Sequence, residues 1–389
     1  MVDLSVNVSG LKLKNPVIIA SGPLTARIDR IKKAEDNGAA AVSLKHSLLK
    51  QQFIAKPRWY VEKDLGIIVS GDPRLTIDDA RELIAKTKAE TELKVLVNMS
   101  GLPTELGSWG ELAKVFEEVG ADGIELNLNC PNLHTANASG PTLGANLGQD
   151  PDSCATVIKS VKSAVKIPVI AKLPTEGGRT IKVAEAGCAA GVDALMIHAG
   201  FRAAPGLDIY NGGQFLYPGS GAGNFGGNSG PWSRLISNRF VADVAKACPD
   251  TPIIGGGGIG KWEHIVECIM YGAGSVQVCT SVMFEGFELV DKFVKGLTGY
   301  MEKTGYSNVE EFRGLALKNV LGPHQMKYAD ITADIDKNKC TGCRKCEKLP
   351  TCDAISYHDK KCEVKMEACV GCGLCVGICP VKAIGIANR

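Results

Sequence analysis

A chain of 389 residues has room for one large domain with a small companion, or for two to three ordinary domains. Hydrophobic residues make up 45% and charged residues 22%, which excludes a disordered chain, and a net charge of +2 offers no bulk attraction to nucleic acid or an anionic membrane surface. No run approaches the ~18 apolar residues of a membrane span, and the start MVDLSVNVSG lacks the basic end and apolar run of a signal peptide, so a cytoplasmic setting is expected.

The opening stretch, LSVNVSGLKLKNP, alternates and turns at Ser9-Gly10. It reads as a hairpin that plugs the lower end of whatever follows. Eight short apolar runs then recur: 17–21, 40–46, 94–100, 123–130, 168–174, 194–200, 252–258 and 275–281. Helical stretches separate them near 26–38, 76–91, 108–120, 151–165, 179–191, 232–247 and 261–272, with a last one near 284–303. Continuous apolar strands alternating with helices imply a parallel sheet covered on both faces. Eight repeats predict an α/β fold, a (β/α)8 TIM barrel spanning 1–325.

Chemistry in such a barrel sits at the C-terminal ends of its strands. The residues there are polar or glycine-rich: Ala20, Ser21 and Gly22; Lys45 and His46; Asn98; Asn127 through Cys130; Lys172; His198; Gly255 to Gly258; and Cys279-Thr280. The two longest connections follow strands two and six. The second, 200–231, is glycine-rich without a helical pattern, as expected of a functional lid. Glycines after strand seven and Thr280 after strand eight suit a phosphate held by backbone N–H groups. With Lys45 and Lys172 at other strand ends, flavin mononucleotide (FMN) is the expected occupant, because an ammonium beside its ring stabilises the anionic reduced form.

The tail has a different composition. Nine of the 15 cysteines fall between Cys340 and Cys379, after a turn-rich passage that places the junction near 325–337. The spacing is Cys340-x2-Cys343-x2-Cys346-x5-Cys352, then Cys369-x2-Cys372-x2-Cys375-x3-Cys379-Pro380. In doubled motifs of this kind the fourth thiolate serves the other cluster. Cys340, Cys343, Cys346 and Cys379 are therefore expected to hold one 4Fe-4S cluster, and Cys369, Cys372, Cys375 and Cys352 the second. Zinc also uses Cys-x2-Cys pairs, but eight cysteines in this order favour the clusters. The first half departs from the pattern in its five-residue spacer and in Asp353 where a proline is usual. Cys362 is left over as a spare thiol. Residues 326–389 thus read as a linker and a two-cluster ferredoxin-like domain.

The segments NPVIIASGP, ELNLNCPN, IPVIAKLP, PIIGGGGIG and GAGSVQVCTS, in that order and followed by the cysteine tail, resemble the dihydroorotate and dihydropyrimidine dehydrogenases over essentially the whole chain. The resemblance implies that Ala20, Ser21 and Gly22 border the flavin, that Lys45 and Lys172 contact its ring and ribityl side, and that Asn127 touches both flavin and substrate. It also implies that Gly230, Gly257, Gly258, Cys279 and Thr280 line the phosphate end. Cys130 would be the catalytic acid/base, with Asn132 beside it. A cysteine thiol, with an ordinary pKa of ~8.5, is mostly protonated at neutral pH and can donate to a forming carbanion.

Two departures concern the substrate. The family's Asn followed by Ser or Thr at the end of strand six reads His198-Ala199 here, and the usual asparagine after strand two is missing from IIVSGDPRL. A pyrimidine's amide edge would lose two partners, so a non-pyrimidine ring is a live alternative to uracil or thymine. His198 offers a donor and an acceptor, or two donors when charged, to polarise a substrate carbonyl. His46 replaces the usual Thr or Ser near the flavin.

The expected function is reduction of a carbonyl-conjugated C=C bond in a cyclic substrate, in the setting of anaerobic metabolism. No separate nicotinamide domain is visible, so electrons are expected from an NADH/FAD-type flavoprotein subunit or a ferredoxin, in a homo- or hetero-oligomer. The alternatives are a dihydroorotate dehydrogenase passing electrons out through the clusters, and an electron-transfer or assembly module with a degenerate barrel.

Overall fold

The computed structural model describes residues 2–48, 56–102, 104–130 and 143–389, in two compact units, Met1–Asn319 and Val320–Arg389. The first unit ends six residues before the sequence-based boundary at 325.

Eight strands close into a barrel: β1 (Val17–Ile19), β2 (Ala41–Leu48), β3 (Lys94–Ser100), β4 (Gly123–Asn127), β5 (Val169–Leu173), β6 (Ala194–Ile197), β7 (Ile253–Gly256) and β8 (Ser275–Val278). Each pairs in parallel with its sequence neighbours, and β8 closes on β1 through Val278 opposite Ile19. The strands are buried along almost their whole length, which is why they read as unbroken apolar runs. Helices α1 (Ile28–Asp36), α2 (Ile77–Glu90), α3 (Trp109–Glu118), α4 (Pro151–Ala164), α5 (Thr180–Ala189), α6 (Arg234–Ala247), α7 (Trp262–Met270) and α8 (Glu288–Thr304) alternate with them.

Local chemistry sets the helix ends. Thr76 caps α2 by accepting from the Asp79 N–H at 3.1 Å, and Asp79 reaches back to the Thr76 N–H at 3.2 Å. Asp150 caps α4 through the Ser153 N–H at 3.0 Å, with Pro151 in the first helical position. Gly305 ends α8 in the left-handed region, φ 80°.

The N-terminal hairpin, Val6–Val8 against Leu11–Leu13, buries Val6, Val8, Leu11 and Leu13 in the barrel core. The Ser9 hydroxyl donates to the Asp193 carbonyl just before β6, which puts the hairpin at the N-terminal end. The expected lid at 200–231 is not structureless. Phe201–Ala203 pairs with Gly226–Ser229, which pairs with Gly66–Val69, which in turn pairs with Trp59–Glu62, giving one four-stranded antiparallel sheet from both long connections. Its glycines allow backbones to approach closely. A Cβ on Gly226 would lie 2.4 Å from the Val69 carbonyl oxygen, and one on Gly230 2.4 Å from the Gly66 Cα.

The second unit has two antiparallel strand pairs, Ile331–Ile335 with Ile384–Asn388 and Ile355–His358 with Lys361–Val364. Between them lies a small core in which cysteines outnumber aliphatic side chains of ordinary size.

Candidate active site and cluster-binding cysteines

At the C-terminal ends of the barrel strands lies a cavity of about 670 Å³. It gathers most of the barrel residues singled out from the sequence; Leu128, Gly255 and Gly256 do not line it, and Asn132 falls outside the described residues. Ala20, Ser21, Gly22, Lys45, His46, Asn98, Asn127, Cys130, Lys172, His198, Gly230, Gly257, Gly258, Cys279 and Thr280 all line it.

The period-two alternation of the strands aims polar side chains inward in layers. Glu125 and Asn127 share the inner face of β4, and Asn127 stands opposite Lys172 of β5. The fully buried Glu125 is the hub. Its Oε1 accepts from Asn98 at 2.7 Å, from Ser43 at 2.8 Å and from the Lys172 ammonium at 3.4 Å. Gln277 Nε2 donates to Oε2, while Lys172 Nζ also donates to Gln277 Oε1 at 2.9 Å. Burial alone would raise the Glu125 carboxyl. Lys172, then the bonds from Gln277, Ser43 and Asn98, bring it below its ordinary range.

A chain of amides leads from this hub to the thiol. Asn127 Nδ2 donates to Asn98 Oδ1 at 2.8 Å, and the Cys130 N–H donates to Asn127 Oδ1 at 3.0 Å. Arg74, from the connection after β2, points Nη2 at the Cys130 sulfur at 3.5 Å.

Strand β2 has a register shift between Leu44 and Ser47, spanning the two residues that face the cavity. The Lys45 ammonium pairs with the buried Asp72 carboxylate, and burial, with Arg74 adding to it, pushes it down to about 7. His46 Nε2 lies 3.0 Å from Ser100 Oγ, and its Nδ1 has no hydrogen-bond partner among the described residues. Burial pushes His46 well below the ordinary histidine range. Burial, with Lys172 nearby, pushes His198 down to about 4, so it is neutral at physiological pH and offers one donor and one acceptor, not two donors.

The residues present fit a flavin nucleotide. Gly257 and Gly258 have φ of 88° and 68°. A Cβ on Gly257 would lie 2.4 Å from Ser237 Oγ, and one on Gly258 2.6 Å from the Arg234 backbone nitrogen. Beside this cradle the buried Ser281 Oγ has no partner among the described residues, as expected of a hydroxyl waiting for an anionic oxygen. Ser229 and Thr280 hydroxyls meet at 3.1 Å next to it. Gly258→Ala is expected to cost about 1–3 kcal/mol through backbone strain and crowding. It should show as a lower melting temperature and a lower flavin-to-protein ratio than wild type.

In the second unit, Gly342 and Gly371 sit at φ of 69° and 67°, turning the two Cys-x2-Cys loops against the strand pairs. A Cβ on Gly342 would lie 2.2 Å from the Lys360 carbonyl oxygen, and one on Gly371 2.6 Å from an Ile331 side-chain carbon. Cys369 and Cys379 sulfurs already accept backbone N–H groups, from Ala333 at 3.4 Å and Ala383 at 3.2 Å, as thiolate ligands do. Cys352 lies within electrostatic reach of Cys375, together with Cys369 and Cys372. No three ligand-type side chains among the described residues converge closely enough for a single metal ion. Cys362, set aside as a spare thiol, is fully buried against Cys340 and Cys346, and burial with those neighbours pushes it up to about 12.

Sequence reading missed Glu125, Asp72, Arg74, Gln277 and Ser281. For Glu125 a signal existed, a carboxylate inside an apolar strand run; the others lie in connections or look like ordinary polar interruptions.

The barrel, its polar strand ends and the cysteine-rich tail define a flavin-type oxidoreductase of the dihydroorotate dehydrogenase class. The family model for dihydroorotate dehydrogenase matches residues 3–301 and that for a 4Fe-4S binding domain matches 363–385. The chain belongs to the dihydroorotate dehydrogenase family. It is 34% identical over 318 residues to the catalytic subunit of dihydroorotate dehydrogenase B (NAD(+)) of Pyrococcus abyssi, covering 81% of this chain and 99% of that one. It is 28% identical over 356 residues to the PreA subunit of the NAD-dependent dihydropyrimidine dehydrogenase of Escherichia coli, covering 88% and 84%. The second similarity extends beyond the barrel. Among the described residues no helix is long and apolar enough to cross a membrane.

Proposed function

We propose that this chain is the catalytic subunit of an FMN- and iron-sulfur-dependent reductase of a cyclic, carbonyl-conjugated C=C bond. The observation that carries this is a half-buried thiol, Cys130, held by Asn127 and Arg74 in a cavity whose far end is a glycine and hydroxyl cradle. When bound, FMN supplies the hydride for the β-carbon, with electrons delivered through two 4Fe-4S clusters from a flavoprotein subunit of NADH/FAD type or a ferredoxin. Cys130 holds the proton and delivers it to the α-carbon; the thiolate left behind regains a proton from solvent. Hydride and proton together saturate one C=C bond.

The chain's own residues divide the remaining work. Gly257, Gly258, Gly230, Thr280 and Ser281 hold the phosphate end, and Ala20, Ser21 and Gly22 the ring edge. Lys45 and Lys172 place cations beside the ring, each steadied by a buried carboxylate, Asp72 or Glu125. Asn127 orients both ring and substrate. Neutral His198 donates to or accepts from the substrate carbonyl. Cys340, Cys343, Cys346 and Cys379 ligate one cluster, and Cys369, Cys372, Cys375 and Cys352 the other.

Anaerobic reduction of the purified protein, followed by addition of uracil, thymine, orotate or a cyclic enone, tests the reading. Reappearance of the oxidised flavin band with formation of the saturated ring is expected for at least one of them. Bleaching of oxidised flavin by dihydroorotate, with no reoxidation by any unsaturated ring, would reverse the assigned direction. A protein that takes up neither flavin nor iron would overturn the assignment.

A further inference from the structure

The two halves of the cysteine tail carry different surfaces. Each proposed ligand set has one exposed member, Cys343 in the first and Cys372 in the second. Electron tunnelling falls off steeply with distance, so an external carrier must sit against an exposed ligand to exchange electrons. Around Cys343 the chain is cationic: residues 337–348 hold five Lys or Arg and one acid, Glu347. Around Cys372 it is apolar: from Met366 to Val381 the one charged side chain is Glu367, and Val370 is 84% exposed.

The fold brings further cations to the first end. The Lys360 carbonyl oxygen packs on Gly342, beside Cys343, and would meet a Cβ there at 2.2 Å; the Lys361 ammonium donates to the Cys340 carbonyl. Arg344 is committed, paired with Glu347 at 3.1 Å and lying 4.8 Å from the centre of the Tyr357 ring. Lys345, Lys348 and Lys360 are exposed and make no ion pair among the described residues. The cation excess exceeds the negative charge that an oxidised four-iron cluster and its thiolates bring. Solvated charges of this kind add little to stability, but they steer an oppositely charged partner and speed its arrival. Electron-transfer encounters are small and transient, so a few such charges are enough to direct one. We infer that the lysine face around Cys343 docks a small soluble electron carrier with an acidic surface, of ferredoxin type, and that electrons enter this chain there, not at the apolar end around Cys372. The inference rests on the reductase reading above for the direction of electron flow, and it narrows the donor to the carrier.

The test is a binding titration with both proteins oxidised. A strongly acidic two-cluster ferredoxin is titrated into the full-length, cluster-loaded protein by calorimetry, at about 20 and about 300 mM NaCl, concentrations that differ severalfold in screening length. The dissociation constant should rise at least ~10-fold with salt, and a cationic cytochrome c should not bind. The combined variant Lys345→Gln, Lys348→Gln and Lys360→Gln should weaken ferredoxin binding ~10-fold at low salt and lose most of the salt dependence, with iron and flavin content unchanged. Val370→Ser with Leu374→Ser should bind as wild type does. Absent or salt-independent ferredoxin binding, equal binding of cytochrome c, a lysine variant that behaves like wild type, or loss of binding in the Val370 and Leu374 variant overturns the inference. If the triple variant loses iron, Lys348→Gln alone decides: binding weaker by at least ~2-fold supports the inference and unchanged binding overturns it. No substrate enters these titrations, so failure of the reductase reading is seen apart from them, as flavin that the reduced carrier bleaches and no unsaturated ring restores.

Discussion

Cys130→Ala is expected to slow the reoxidation of reduced enzyme by substrate by about 10²–10⁴-fold, the usual contribution of a positioned general acid. Flavin and cluster content should stay at wild-type levels. The separation follows from the geometry. Cys130 is held through its backbone, by the N–H bond to Asn127 Oδ1 at 3.0 Å, and the sulfur contributes nothing to that bond. Removing the sulfur empties a half-buried position at the cavity wall and leaves the glycine cradle and both buried ion pairs intact. Cys130→Ser is expected to fall close to the alanine variant, because a hydroxyl is a much weaker acid than a thiol. The measurement is single-turnover: enzyme reduced without oxygen, mixed with substrate, followed at the flavin band. Steady-state assays limited by electron supply would hide the effect. An unchanged single-turnover rate in Cys130→Ala removes the thiol from the mechanism and leaves solvent or another group as the proton source.

What could be read from the amino acids alone followed the physics of each part. The eight strands were legible because a parallel strand covered on both faces has no polar side to show, so VIIA and KVLVN stand out as runs. The cavity residues were legible because glycines, lysines and a histidine at the ends of such runs have no packing reason to be there. The sheet at the cavity mouth was not. Gly66–Val69 and Gly226–Ser229 are far apart in sequence, and glycine-rich strands carry no alternation to betray them. Glu125 was passed over because its meaning lies in its partners. Lys172 is 47 residues away on the neighbouring strand, and Gln277 is 152 away on a strand that reaches Glu125 only when the barrel closes. Cys362 was left over because the spacing rule counts ligands and says nothing of a thiol buried behind them.

Glu125→Gln tests whether that hub is structural, functional or both. The side chain is 0% exposed and faces a lysine that is 7% exposed. Breaking a buried pair by neutralising one partner leaves the other charge uncompensated, at a cost of about 3–5 kcal/mol. For a domain of this size that should lower the melting temperature by on the order of 10 °C. The disturbance should also travel. Asn98 bonds Glu125 on one side and Asn127 on the other, and Asn127 holds the Cys130 N–H, so a reoriented amide at 125 misplaces the thiol. The double variant Glu125→Gln with Lys172→Met removes both charges. Its melting temperature should recover much of the loss, since no buried charge is left alone, giving a coupling of about 1–3 kcal/mol between the sites. Flavin binding should not recover, because the cation proposed to lie beside the ring has gone. If stability and flavin binding return together, Lys172 serves only the barrel's packing and its role beside the cofactor is withdrawn. If neither returns, the amide network through Asn98 and Gln277, not the ion pair, is what the barrel interior depends on.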